Sequence, residues 1–145
     1  MIVDELGLRT YVVWIPMLDR DEGSEVPAVS RTLRVTPQYF DGEKRVGAAI
    51  ARSLSLTEPV WDAFLFYPPG ATWGAEIAPP ELAVAQVAGV VVGTPGTLPA
   101  VADQARLPSE LVGTAAVIGA QSDIKRILQV VASGFAARHP RVAPP

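Results

Sequence analysis

Tyr11-Val12-Val13-Trp14-Ile15-Pro16-Met17-Leu18 is the stretch on which the fold class of this chain turns. It is a short and nearly unbroken apolar run, the pattern of a strand covered on both faces rather than of one alternating between core and solvent. Pro16 has no amide hydrogen for a ladder, so it marks a strand end, a bulge or a sheet edge. C-terminal to it comes an acidic loop, Asp19-Arg20-Asp21-Glu22-Gly23. A helix-like stretch follows, in which Ser24 stands at a cap position, Val26, Val29 and Leu33 share a face, and Pro27 is tolerable in the first turn. A second, shorter strand is expected over 35–40. Asp41 then caps the clearest amphipathic segment, with Val46, Ala49, Ile50 and Leu54 on one side and Lys44, Arg45 and Arg52 on the other. Val60-Trp61-Asp62-Ala63-Phe64-Leu65-Phe66-Tyr67 is the second buried strand, ended by the turn chemistry of Pro68-Pro69-Gly70. Residues 71–77 return as a short antiparallel strand. Strands alternating with helices at this spacing define an α/β layered domain.

Composition narrows the function classes. The 145 residues are 49% hydrophobic and 19% charged, a balance that folds rather than stays disordered. A net charge of −3 without a basic block excludes the electrostatic footprint of a nucleic-acid binder. The absence of cysteine removes thiol nucleophiles, disulfides and thiolate metal sites. The acidic start, Met1-Ile2-Val3-Asp4-Glu5, lacks the basic region of a secretory signal. The longest apolar stretches, 82–92 and 111–120, fall short of the roughly 20 residues that span a bilayer. A soluble, cytoplasmic protein without a membrane span is therefore expected.

The two halves differ in character. Nine of the ten aromatic residues lie between Tyr11 and Trp73, and residues 1–73 carry ten acidic and seven basic side chains against five of each in 74–145. The shift falls near Gly74, Pro79 and Pro80. The expected organisation is an α/β core over 1–80 and a mainly helical C-terminal extension over 81–145, packing on the core or on a partner. Within the extension, 81–91 reads as a helix with a β-branched, ambiguous end, 93–96 as a loop, and 97–119 as one or two weak helices interrupted at Pro108. Ser122-Asp123 caps the best late helix, on which Ile124, Ile127, Leu128, Val131 and Phe135 form an apolar stripe. That stripe has two uses, packing on its own sheet or serving as an interface for another subunit or protein. Residues 140–145 form a fraying tail.

With these residues in view, the first half resembles a group of cysteine-less, thioredoxin-like bacterial proteins. The shared words are the Trp-x-Pro-Met-Leu strand at 14–18, the turn Tyr39-Phe40-Asp41-Gly42, and the Trp61-Asp62 strand running into Pro68-Pro69-Gly70-Ala71 and Trp73. The likeness covers about residues 9–80. It implies a thioredoxin-like mixed sheet flanked by helices, and Pro59 resembles the cis-proline of that fold. Where an ordinary thioredoxin keeps its redox cysteines this chain has the acidic loop, so the implied protein is redox-inactive. The group carries no settled activity, and residues 81–145 lie outside the resemblance.

Four constellations bear on chemistry. Asp19, Asp21, Glu22 and Glu25 follow a buried strand, where α/β folds place sites, and could hold Mg²⁺ or Ca²⁺. The strand with Asp-x-Asp also resembles the first motif of haloacid-dehalogenase-like phosphatases, in which one Asp attacks phosphorus and the next serves as acid and base. The next motif position needs Thr or Val and is Gly23, and the twelfth residue of a calcium loop counted from Asp19 is Ser30, not Glu. The plainer reading is a solvated loop. Asp62, inside an apolar strand, is either a buried functional acid with a raised pKa or a surface carboxylate holding a neighbour. Trp14, Trp61, Trp73, Tyr11, Tyr39 and Tyr67 are core residues or the walls of a ligand groove, with Trp73, beside the Pro/Gly turn, the natural interface anchor. His139, alone in an Arg-rich tail, lacks a partner for acid–base work, and Gly93-Thr94-Pro95-Gly96 lacks the Gly-Lys-Ser/Thr ending of a phosphate loop.

The expectation is a non-catalytic, thioredoxin-like binding or assembly module, such as a subunit of a larger complex. It would use no cofactor and would contact a protein partner or a second copy of itself. Its candidate contacts are Trp73, Tyr67, Trp14, Trp61 and Asp62, the 68–70 turn and the late helix. Two alternatives stand beside it, a Mg²⁺-dependent phosphoryl hydrolase using Asp19 and Asp21, and a small-molecule carrier using an aromatic groove.

Overall fold

A computed structural model describes residues 6–18, 26, 31, 37–101 and 107–140. The chain divides into two compact units, one built from 8–61 with 73–79 and the other from 1–7, 62–72 and 80–145. Across both, the described residues are mixed α and β, with a parallel strand pair, a four-stranded antiparallel sheet and a C-terminal helix.

In the unit formed by 8–61 and 73–79, β1 (Val12–Trp14) and β2 (Gln38–Phe40) pair in parallel, with Val12 opposite Gln38 and Trp14 opposite Phe40. A parallel pair needs a connection of about a dozen residues or more, which 15–37 supplies. The indole Nε1 of Trp14 donates to Gln38 Oε1 at 3.0 Å, tying the two strands through side chains as well as backbone. The chain then turns into α1 (Arg45–Ser53). Asp41 caps this helix as expected: its Oδ1 accepts from the Arg45 amide at 2.9 Å, and its Oδ2 accepts from the Val46 amide at 2.7 Å. Lys44, at φ 59°, makes the turn that lets the carboxylate reach back over the first amides.

The inner side of α1 carries Gly47, Ile50 and Ala51, all buried. Gly47 suits the close approach there, because a Cβ would stand 3.0 Å from both Ile15 Cδ1 and the Val60 carbonyl oxygen. The helix ends with the Leu56 amide donating to the Ala51 carbonyl at 2.8 Å around Ser55, whose φ of 59° is the left-handed turn of a helix C-terminus.

The other unit departs from the sequence reading. The strand expected over 60–67 is only β3 (Ala63–Phe66). It pairs on one side, antiparallel to β4 (Leu82–Val87), and leaves Phe64 41% exposed, so it is an edge strand rather than a fully buried one. The helix expected over 81–91 is instead a hairpin of β4 and β5 (Val90–Gly93). The reason is local: Ala88 and Gly89 both have positive φ, 49° and 82°, which is the two-residue arrangement that matches strand twist. The flanking valines at 84, 87 and 90–92 also favour extended backbone. The late part of the 97–119 region is likewise a strand, β6 (Ala116–Ala120), pairing antiparallel to β5 with a bulge between Val91 and Val92. Among the described residues of that region, helix takes the form of a single 3₁₀ turn over Ser109–Leu111, after Pro108. The sheet order is β3-β4-β5-β6, so strands on both sides of residue 80 share one sheet.

A 3₁₀ turn over Gln121–Asp123 leads into α2 (Ile124–Arg138). Neither Ser122 nor Asp123 makes the expected side-chain cap; Asp123 instead pairs with Arg126 at 3.6 Å. The apolar stripe of α2 is spent on its own sheet. Ile127 and Val131 form one cluster with Val84, Val91 and Ile118, against which Phe66, Leu82, Ile124 and Leu128 pack. Phe135 is 3% exposed and lies against Phe66 at 5.4 Å between ring centroids. The interface expected of Ile124, Ile127, Leu128, Val131 and Phe135 is thus internal. On the opposite face of the sheet, Val90, Val92 and Val117 are covered by Ala85, Val87, Leu107 and Ala115. No helix among the described residues is long and apolar enough to cross a membrane.

Two stability outcomes follow from this packing. A Cβ at Gly119 would stand 2.5 Å from Ile127 Cδ1, an atom of a side chain only 1% exposed. Gly119→Ala is expected to cost about 1–3 kcal/mol by overpacking. Adding Ile127→Val, which deletes that Cδ1, should recover part of the loss, so a double-mutant cycle on urea midpoints reads a coupling rather than a sum. In the other unit, Asp41→Ala is expected to lower stability by about 1 kcal/mol through the lost cap, and Asp41→Asn by less.

Candidate functional site

The outward side of α1 is set by what its inward side buries. With Gly47, Ile50 and Ala51 turned inward, Arg45, Ala49 and Arg52 fall one and two turns apart along the accessible side. Facing them is the segment 73–77, closed by an antiparallel bridge between Trp73 and Ile77 and by the Gly74 amide donating to the Glu76 carbonyl at 3.4 Å. This bridge is what the structure makes of the short antiparallel strand expected over 71–77. Arg45, Val46, Ala49 and Arg52 on one wall and Trp73, Gly74, Ala75 and Ile77 on the other line a groove of about 310 Å³.

Its lining is apolar, aromatic and cationic. Val46, Ala49 and Ile77 give it an apolar lining, Trp73 offers an aromatic surface 46% exposed, and Gly74 leaves open space beside the ring. The two arginines are not equivalent. The Arg45 guanidinium is held by Glu43, with Nε donating to Oε2 at 2.8 Å. Arg52 makes no ion pair and no side-chain hydrogen bond among the described residues. None of the lining residues is a carboxylate, an imidazole or a nucleophile, so the groove can hold a ligand but brings no acid–base pair to it.

The sequence-expected site residues do not converge on this groove. Trp14 and Trp61 belong to the same unit as Trp73; the Trp14 indole is engaged by Gln38, and Trp61 is 51% exposed outside the groove lining. Tyr67 and Asp62 belong to the other unit. Tyr67 is half-buried, and that burial raises its phenol above the usual value. Asp62 is exposed rather than buried; at φ 49° it turns the chain into β3, and both its carboxylate oxygens accept from Gln86 Nε2, at 2.9 and 3.0 Å. It is the surface carboxylate of the two readings. Asp19, Asp21 and Glu22 lie outside the described residues, and among the described ones no group of three or more His, Asp or Glu side chains is placed to hold a metal ion.

The sequence reading missed two things. Arg45 and Arg52 looked like a solvated helix face, and nothing local to them signals that Trp73 lines a groove with them. His139, expected to lack a partner, has one: its Nε2 lies 2.7 Å from Glu81 Oε2, where the ionised carboxylate accepts the ring proton. Arg138 donates from Nη2 to Glu81 Oε1 at 3.2 Å and lies 5.9 Å over the Phe135 ring, which also stacks on His139 at 4.6 Å. No sequence signal joins residues nearly sixty positions apart. This cluster fastens the end of α2 to the strand start at β4 and holds no nucleophile.

No family model, curated protein or solved structure matches this chain.

The Glu81 cluster sets an acid limb of stability. The hydrogen bond from His139 foremost, with Arg138 in support and burial opposing, holds the Glu81 carboxyl below its ordinary 4.5. A carboxylate depressed in the folded state stabilises it above the unfolded pKa and loses that contribution as pH falls through the folded one. Urea midpoints of the wild type should therefore fall more steeply than those of Glu81→Gln as pH drops from about 5 to about 3. Parallel curves would remove Glu81 from the account.

Proposed function

We propose that this chain is a non-catalytic binding module and that the groove beneath Trp73 is its contact surface. The observation that carries the reading is a tryptophan nearly half exposed in the wall of a groove that it shares with apolar side chains and with a guanidinium that has no partner among the described residues. Trp and Arg are the side chains that most often dominate binding energy, because each combines a large rigid contact area with directional donors. The groove's lack of a nucleophile or acid–base pair favours binding over catalysis at this place.

The thioredoxin-like part of the reading draws on the parallel β1/β2 pair with its long connection, on α1 following it, and on the three sequence words named above. Without cysteine, such a domain contributes surface and not thiol exchange.

Selection from a random peptide library on the immobilised chain tests the module. Wild type is expected to enrich a consensus, Trp73→Ala to lose that enrichment by about tenfold or more, and Trp61→Ala to keep it. Enrichment indifferent to Trp73, or none above bare support, would overturn the reading.

A further inference from the structure

Resting on the binding-module reading, we infer that the groove selects an acidic peptide segment of a partner protein, with an apolar side chain against Trp73 and a carboxylate on Arg52. The charge distribution is the first reason. The protein as a whole carries a net charge of −3, so an acidic segment is repelled by most of its surface and attracted only where cations stand unneutralised. In the groove Arg45 is already engaged by Glu43, which leaves Arg52 as the open guanidinium. A guanidinium presents two parallel N–H donors that match the two oxygens of a carboxylate, the pairing that gives direction as well as attraction.

The position of the acidic neighbours orders the ligand. Glu43 stands beside Arg45 near the start of α1, and Arg52 lies in its last turn, about 10 Å further along at 1.5 Å per residue. With the Arg45 guanidinium already taken by Glu43, a carboxylate gains a new fork partner only at the other end, so the acid belongs at the Arg52 end. A segment of three extended residues covers about 10 Å, which places an apolar and an acidic side chain within one short stretch. Glu76, in the segment that carries Trp73, adds repulsion on the Trp73 side and favours an uncharged side chain there.

The shape of the groove separates a peptide from the other anions. Sites for small molecules enclose most of the ligand surface, whereas this one has two walls, α1 and the 73–77 segment. Nucleic acid needs several cations along a backbone, and here one is open. Arg52 also suits the C-terminal end of α1 on its own, where a positive charge meets the helix dipole. The charge-keeping variant Arg52→Lys preserves that role while removing the fork, and so tells the two apart.

The test uses the intact chain and blocked hexapeptides alternating Leu with Asp, Asn or Lys, followed through the indole N–H of Trp73, assigned with Trp73→Phe, in a ¹⁵N spectrum. The Leu/Asp peptide is expected to shift that resonance saturably, to bind about tenfold more tightly than Leu/Asn, and to weaken with added salt. Arg52→Gln should raise its Kd about tenfold and Arg52→Lys several-fold, with unchanged urea midpoints for Arg52→Lys. Equal binding of Leu/Asp and Leu/Asn, preference for Leu/Lys, or indifference to Arg52→Gln overturns the acidic selection while the module stands on its library consensus. A Trp73-dependent dimer in light scattering makes a second copy the occupant and also overturns it. Failure of every peptide together with a library that enriches nothing sinks the module itself.

Discussion

Ile127 and Gly119 occupy each other's space, and the packing of the α2 unit hangs on that exchange. With no Cβ on Gly119, the δ-methyl of Ile127 can settle onto β6, and the residues one turn on, Val131 and then Phe135, follow it down onto Val91, Val84 and Phe66. An interior this close-packed transmits a misplaced methyl to every neighbour rather than absorbing it. The helix is also held at its far end, where Arg138 and His139 reach Glu81 at the start of β4. Apolar contact thus sets the distance of helix from sheet, and the charged cluster sets where along the sheet the helix stops. Because Glu81 is ionised in that cluster, the second constraint is sensitive to acid while the first is not.

In the other unit the corresponding constraint is a hydrogen-bonded cap. Asp41 follows β2 directly, and its two carboxylate oxygens take the first amides of α1, so the end of a strand and the beginning of a helix are joined within four residues. Gly47 lets the chain at 59–60 lie against the helix, with the Val60 amide donating to the Gly47 carbonyl at 3.1 Å. With one side of α1 occupied in this way, its rotation is settled, and Arg45, Ala49 and Arg52 are left facing the Trp73 segment. The groove is a consequence of how the helix is seated: the residues buried on the inner side of α1 are not the ones that line it.

The legibility of the chain was uneven for identifiable reasons. β1, the Asp41 cap, α1 and α2 each announce themselves through local pattern: an apolar run, a capping carboxylate before an amphipathic repeat, a stripe at helical spacing. The run overstates β1, which is three half-buried residues with Tyr11 and Leu18 exposed rather than a strand over 11–18 covered on both faces. The hairpin of β4 and β5 did not, because 81–91 is rich in Ala and Val without strict alternation, and a strand buried on both faces reads like a buried helix. Ala88-Gly89 was the available signal, a two-residue turn between valine-rich runs. At the site, Trp73 stood out from its neighbours in the sequence, whereas Arg45 and Arg52 passed as an ordinary polar face. His139 was misjudged for a different reason: its partner, Glu81, is brought to it only by the sheet and the helix that crosses it.

The sequence by itself determined what is local or compositional. It excluded thiol chemistry, marked α1 and α2 and the buried stripe of α2, put a cap at Asp41 and made Trp73 a candidate contact. On α1 it missed that Gly47 and Ala51 turn inward with Ile50 while Val46 and Ala49 lie beside Arg45 and Arg52. Tertiary structure alone decided the pairings, from β3 with β4 across the compositional shift to Glu81 with His139, the seating of the α2 stripe on its own sheet, and the placing of Trp73 and Arg52 in the walls of one groove. The physical reason is range. Capping, turn geometry and periodicity act over a few residues and leave their mark in the order of side chains. Packing and ion pairing between distant positions depend on which surfaces the backbone brings together, and one sequence read along its length does not carry that geometry.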